Sequence, residues 1–193
     1  MPRTVRTLLA PSTRGRSREV ASFFAQLDDL SRRMFADLAD CRPAELAWQP
    51  ARGRNTIGML LAHCALVEAS WLLVASENPP ADVHRARLER AMGIDADADG
   101  VPLPPDGRAP GALRRWTLAR HRRLHDRARR FAKRAASRFR DADLDREIRR
   151  VRRDGTVRIL NPRWALYHVL EHLAGHYGQM LLLRHEYRDR RRR

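Results

Sequence analysis

Apolar residues recur every third or fourth position in four stretches of the chain, and each stretch predicts a helix. In the first, Val20, Phe23, Leu27, Leu30, Met34 and Leu38 share one face. This helix starts near Ser17 and ends at Cys41-Arg-Pro, because the residue before proline is biased away from the α region. A loop through Trp48-Gln-Pro50 follows, and Asn55 or Thr56 can cap the second helix, Ile57 to Ser76. That helix is apolar on most faces, which predicts a central position, and Asn78-Pro-Pro80 stops it. The third spans about Gly111 to Arg138, with Leu113, Thr117, His121, Leu124, Ala128, Phe131 and Ala135 as its inner stripe. The fourth begins near Asn161-Pro162, proline suiting a first helical position, and runs to about Tyr187. Residues 81–110 are rich in Pro, Gly and Asp and read as a long surface connection, with a short helix near Val83 to Met92. Residues 141–160 hold two short alternating runs around Asp154-Gly155, the pattern of a small β-hairpin. The expectation is an all-α protein: a four-helix bundle over residues 17–187, with a basic flexible arm at 1–16 and a disordered basic tail at 188–193.

Composition supports one folded domain. The chain has 193 residues, 43% of them hydrophobic, enough for a sizeable core. Cys41 and Cys64 form no CxxC and cannot make a disulfide framework. The longest apolar stretch, Ile57 to Ala75, is interrupted by His63, Glu68 and Ser70, which favours a buried helix over a membrane span. With no secretory pattern at the N-terminus, the expectation is a soluble, cytoplasmic protein. The net charge of +16 is carried almost wholly by arginine, Lys133 being the only lysine. Such a surface favours phosphate or another anionic partner, nucleic acid included. Equally, arginine can serve wherever a solvated cation suffices, and the basic residues are scattered rather than gathered in a nucleic-acid motif.

The histidines carry the candidate chemistry. His84, His125 and His185 fall in polar surroundings and read as solvated, and His121 as a hydrogen-bonded or edge-of-core residue. In the fourth helix, His168, His172 and His176 stand four apart and descend one face. Two histidines at i and i+4 can reach one metal ion. Leu173 after His172 excludes the HExxH motif of metalloproteases. His63 lies inside the apolar run of the second helix, in phase with Leu60, Val67 and Val74. By itself it reads as a core histidine bonded to a carbonyl. Beside an inward HxxxH it becomes a candidate third ligand, since imidazoles around a cation satisfy one another where an unpaired buried polar group is costly.

Taken together, Trp48-Gln-Pro50, Asn55-Thr-Ile-Gly58, Leu60-Leu-Ala-His63, Glu68, Trp71, Asn161-Pro-Arg-Trp164 and His168-Val-Leu-Glu-His172-Leu-Ala-Gly-His176-Tyr-Gly-Gln179 resemble the DinB/YfiT-like superfamily of metal-binding four-helix bundles, over roughly residues 20–187. The resemblance implies that His63, His172 and His176 hold a divalent ion, zinc or nickel first, iron or manganese as alternatives. It places His168 beside the metal. It also implies an activity: some relatives are S-transferases or isomerases, mycothiol-dependent maleylpyruvate isomerase among them, which use a low-molecular-weight thiol on an electrophilic small molecule. Homodimers occur among relatives. Fold alone does not fix activity, so two further expectations stand beside the enzyme: a module binding nucleic acid or another anionic partner, and a non-catalytic metal-binding stress protein.

Other signals are secondary. Asp95-Ala-Asp97-Ala-Asp99-Gly100 matches the opening of a calcium-binding EF-hand loop, but Pro102, Pro104 and Pro105 crowd it, so it reads as an acidic surface loop. Cys64 points about 100° away from His63 on a helix and reads as core. Glu68 is expected to bond a neighbouring helix or line a cavity, and Glu171 to support a ligand imidazole or stand near the reacting group with His168.

Overall fold

The computed structural model describes residues 8–12, 15–151 and 155–192. Most of the expected arm (1–7, 13 and 14), Asp154 of the hairpin turn and Arg193 of the tail lie outside the described residues. The chain forms α1 (Arg18–Asp37), α2 (Pro43–Leu46), α3 (Ile57–Ser76), α4 (Ala81–Met92), α5 (Leu118–Ala136), β1 (Ile148–Val151), β2 (Val157–Leu160) and α6 (Pro162–Arg190). The bundle consists of α1, α3, α5 and α6, an all-α fold with one small antiparallel hairpin that pairs Ile148 with Leu160 and Val151 with Val157.

Local chemistry sets the helix starts. Ser17 accepts from the Val20 amide at 3.0 Å, Thr56 from Met59 at 3.0 Å, and Asn161 from Trp164 at 2.8 Å with Pro162 behind it. The six apolar residues expected on the inner face of the first helix are all buried. α3 is long and apolar enough to cross a membrane by length and composition, but it is buried inside the bundle, packing mainly on α5 and α6. It also divides the core. One face joins α1 and α6, while Met59, Ala62, Ala65, Leu66 and Ala69 pack against Leu88 and Met92 of α4, Trp116, and Leu124 and Ala128 of α5.

Four expectations change. The 81–110 connection is not all surface: the short helix within it, α4, docks on α3 and α5 through His84, Leu88 and Met92, a stripe one residue wide among arginines. The third helix starts later than expected, at Leu118, and Thr117 caps it by accepting from the Arg120 amide at 3.3 Å instead of lining the interior. Its buried face is His121, Leu124, His125, Ala128, Ala132 and Ala136, so His125 turns inward and Phe131 and Ala135 are only partly covered. Finally, α6 continues into the expected tail as far as Arg190, and Arg188 donates to Asp40 at 2.8 Å.

Candidate metal centre

The centre forms where the middle of α3 faces the middle of α6. His63 comes from α3, and His172 and His176 occupy one face of α6 a turn apart. His172 Nε2 lies 3.1 Å from both His63 Nε2 and His176 Nε2. One ligand atom from each of the three lies within 4.8 Å of the others. Nitrogens at such spacing can share one ion about 2.0–2.1 Å from each.

The far side of two of these rings is fixed. His63 Nδ1 is 2.9 Å from Asp99 Oδ2, and His176 Nδ1 is 2.9 Å from Gln179 Oε1. A carboxylate can only accept here, and so can an amide oxygen, so both rings carry their proton on Nδ1 and turn an Nε2 lone pair toward His172. Burial first, and then His176, His63 and His168 nearby, push the His172 pKa down to about 3. Burial likewise lowers that of His176, against the bond to Gln179. His172 and His176 are therefore neutral at pH 7. Three imidazoles whose Nε2 atoms converge form a donor set suited to a divalent transition ion, and the repulsion of their lone pairs is relieved when they share a cation.

His168 is not part of this convergence. Its ring stacks on Trp164 at 4.6 Å and 14°, meets the edge of Trp71, and lies 5.6 Å from the His172 ring. Arg158 covers the other side of the stack, 4.1 Å from the Trp164 ring. Glu171 bonds His168 Nδ1 at 2.9 Å, so it supports His168 and not one of the three converging rings. Cys64 is buried, its thiol pushed far up by burial, and it stands outside the cluster.

Asp99 is the residue that sequence reasoning missed. The three aspartates of its loop diverge and do not form a calcium cradle. Arg85 takes Asp95 at 3.2 Å and Asp97 at 2.8 Å, while Asp99 turns inward, only 7% exposed, onto His63. No local spacing signals this, since the two residues are 36 positions apart. His84 and His125, expected in solvent, are buried as well. His84 Nε2 is 3.2 Å from Ser70 Oγ, and His125 Nε2 donates to the Leu61 carbonyl at 2.8 Å. His121 is fully buried, and neither ring nitrogen has a partner among the described residues. Of the eight histidines, only His185 of the three expected in solvent is exposed.

Fold and centre together define a helical bundle with a tri-histidine cluster bridging two of its helices. The family model of the DinB superfamily matches residues 26–180, and the chain belongs to that superfamily, whose members are generally metal-binding. A comparison with curated proteins finds no match.

Proposed function

We propose that this protein is a divalent-metal-dependent enzyme in which His63, His172 and His176 hold the ion. The observation that carries this reading is the convergence of three imidazoles, two of them held from behind by Asp99 and Gln179. A divalent ion with an open position lowers the pKa of a bound water or thiol, which supplies a nucleophile near neutral pH. Asp99 and Gln179 keep two rings oriented, and Trp71, Trp164 and Glu171 hold His168 at the edge of the centre, where it can hydrogen-bond a substrate. The reaction class we favour is transfer of a low-molecular-weight thiol to an electrophilic small molecule, or an isomerisation that uses such a thiol. Zinc or nickel is the favoured ion, since imidazole donors suit both.

The first test is metal content by mass spectrometry of the purified protein. One equivalent in wild type, lost in both His63→Ala and His176→Ala, is expected. Metal retained in either variant refutes a centre shared by two helices. Metal-loaded protein that turns over no combination of thiols and electrophiles would leave the non-catalytic metal-binding role.

The outer face of α5 favours a second reading, an anionic partner such as nucleic acid. Arg123, Arg130 and Arg134 are exposed there and form no ion pair with a described residue. Binding through them weakens steeply with salt, and salt-independent binding refutes that reading.

A further inference from the structure

A second concave feature lies at the end of the bundle where α2, the start of α3 and residues 107–114 meet. It is a cleft of about 480 Å³, within the range of small-molecule sites. Leu46, Met59 and Leu113, all buried, supply apolar wall. Arg52, Arg108 and Arg114 also line it, and no Asp or Glu does. None of these three guanidinium groups has a hydrogen bond or ion pair to a described residue. Elsewhere in the chain, arginines such as Arg129, Arg163 and Arg188 reach carboxylates.

The backbone beneath two of the arginines is fixed from one side chain. Gln49 Nε2 donates to the Arg54 carbonyl at 2.9 Å and to the Gly107 carbonyl at 3.0 Å, while its Oε1 accepts from the Ala109 amide at 3.2 Å. Arg108 thus sits between two residues anchored to Gln49. Arg52 sits in a turn closed by the Arg54 amide on the Ala51 carbonyl, and the Gly53 amide donates to Gly107 at 2.9 Å. Gly53 has φ +73, and a Cβ there would stand 2.3 Å from the Pro105 carbonyl oxygen, so the two loops meet this closely only with glycine. The result is a pair of cationic groups on pinned backbone beside an apolar wall. Two exposed guanidinium groups lining a cleft that holds no carboxylate attract an anion, and the guanidinium fork matches phosphate and carboxylate geometry.

We propose that this cleft binds a small organic anion, with its phosphate or carboxylate on Arg52 and Arg108 and an apolar body against Leu46, Met59 and Leu113. The cleft shares α3 with the histidine cluster without sharing a lining residue with it. Met59 is one helical turn before His63 on α3, and the segment that brings Asp99 onto His63 continues to Arg108. Binding here needs no metal, so the proposal stands apart from the enzyme reading.

Isothermal titration calorimetry of the full chain at low ionic strength tests it, with phenyl phosphate and benzoate as probes and neutral benzyl alcohol as the comparator. At least one anionic probe should bind wild type and the alcohol should not; which anion binds more tightly distinguishes a phosphate from a carboxylate ligand. Arg52→Gln combined with Arg108→Gln should weaken binding roughly tenfold or more. Arg18→Gln combined with Arg90→Gln, the same charge change on α1 and α4 away from the cleft lining, should leave it unchanged. Arg52→Lys with Arg108→Lys, which keeps the charge and loses the fork, should fall between. Equal loss in the two glutamine pairs means diffuse attraction to a basic surface and overturns the site, as does failure of both anions to bind wild type at millimolar concentration.

Discussion

The buried pair Glu68–Arg129 offers the sharpest test of how this bundle is held together. Arg129 Nε donates to Glu68 Oε1 at 2.6 Å and Nη2 to Oε2 at 3.2 Å, a two-pronged contact between α5 and α3. The same guanidinium donates to Ser31 Oγ of α1 at 2.9 Å and pairs with Asp28, so one side chain ties three helices. The Glu68 side chain is 3% exposed and that of Arg129 is 12%. Burial pushes the Glu68 carboxyl up, against the pull of Arg129. Burial opposes the charge on Arg129, and Glu68 and Asp28 outweigh it. Arg129→Met removes one partner and strands the other in the core, a change that costs about 3–5 kcal/mol. The helices remain free to pack, so replacing both by apolar residues, Glu68→Leu with Arg129→Met, should recover most of that loss and fall within about 1–2 kcal/mol of wild type. The single variant should also lose less at pH 5 than at pH 7, because Glu68 without its partner accepts a proton more readily. Urea unfolding followed by circular dichroism at 222 nm measures all three. If Arg129→Met costs under about 1 kcal/mol, or the double variant costs the sum of the singles, the pair is solvated in solution and the reasoning fails.

Three further outcomes follow from the same geometry. Asp99→Ala should lower metal affinity about 10- to 100-fold, with partial recovery in Asp99→Asn, which still accepts from His63 Nδ1; competition with a chelator reads this, and unchanged affinity would remove Asp99 from the centre. Burial depresses the pKa of His121 to about 4 and of His125 to about 3, below the ordinary 6.5, so the unfolded chain takes up protons that the native state refuses. Stability should therefore be full above pH 6.5 and fall as the pH drops toward 4, by about 1.4 kcal/mol per pH unit for each of the two groups. Urea midpoints that stay flat over that window contradict this burial, and His121→Leu, which removes two unpartnered nitrogens, should be neutral or stabilising and lower the slope by about 1.4 kcal/mol per pH unit. Gly58→Ala should destabilise by about 1–3 kcal/mol, because its Cβ would stand 3.1 Å from the Leu46 carbonyl oxygen and 3.3 Å from His121 Nε2; a thermal midpoint equal to wild type would mean that these neighbours yield freely.

The bundle is written in local signals along the chain. Its helices are long, periodic and capped by Ser17, Thr56 and Asn161, and each of those signals is local, acting within a turn or two. The i, i+4 pair His172 and His176 is legible for the same reason: helical spacing alone puts the two rings on one face. His63 could be nominated from its inward phase, and the superfamily resemblance added to that.

Contacts between distant residues follow from how the helices stack, which no local pattern encodes. Asp99 reaches His63 because α4 docks on α3 and returns the chain across the bundle. Leu88 and Met92, too narrow a stripe to stand out in a run of arginines, carry that docking. His84 and His125 went inward against their polar neighbourhoods, since a helix with buried neighbours on two sides hides a wider face than its hydrophobic stripe indicates. The cleft of Arg52 and Arg108 has no counterpart in any local pattern. Its two arms lie more than fifty residues apart in sequence and are joined by Gln49, which bonds to both, and by the Gly53 amide on the Gly107 carbonyl. Periodicity reports which way a side chain points from its own helix; the partner it finds there depends on how the helices are stacked.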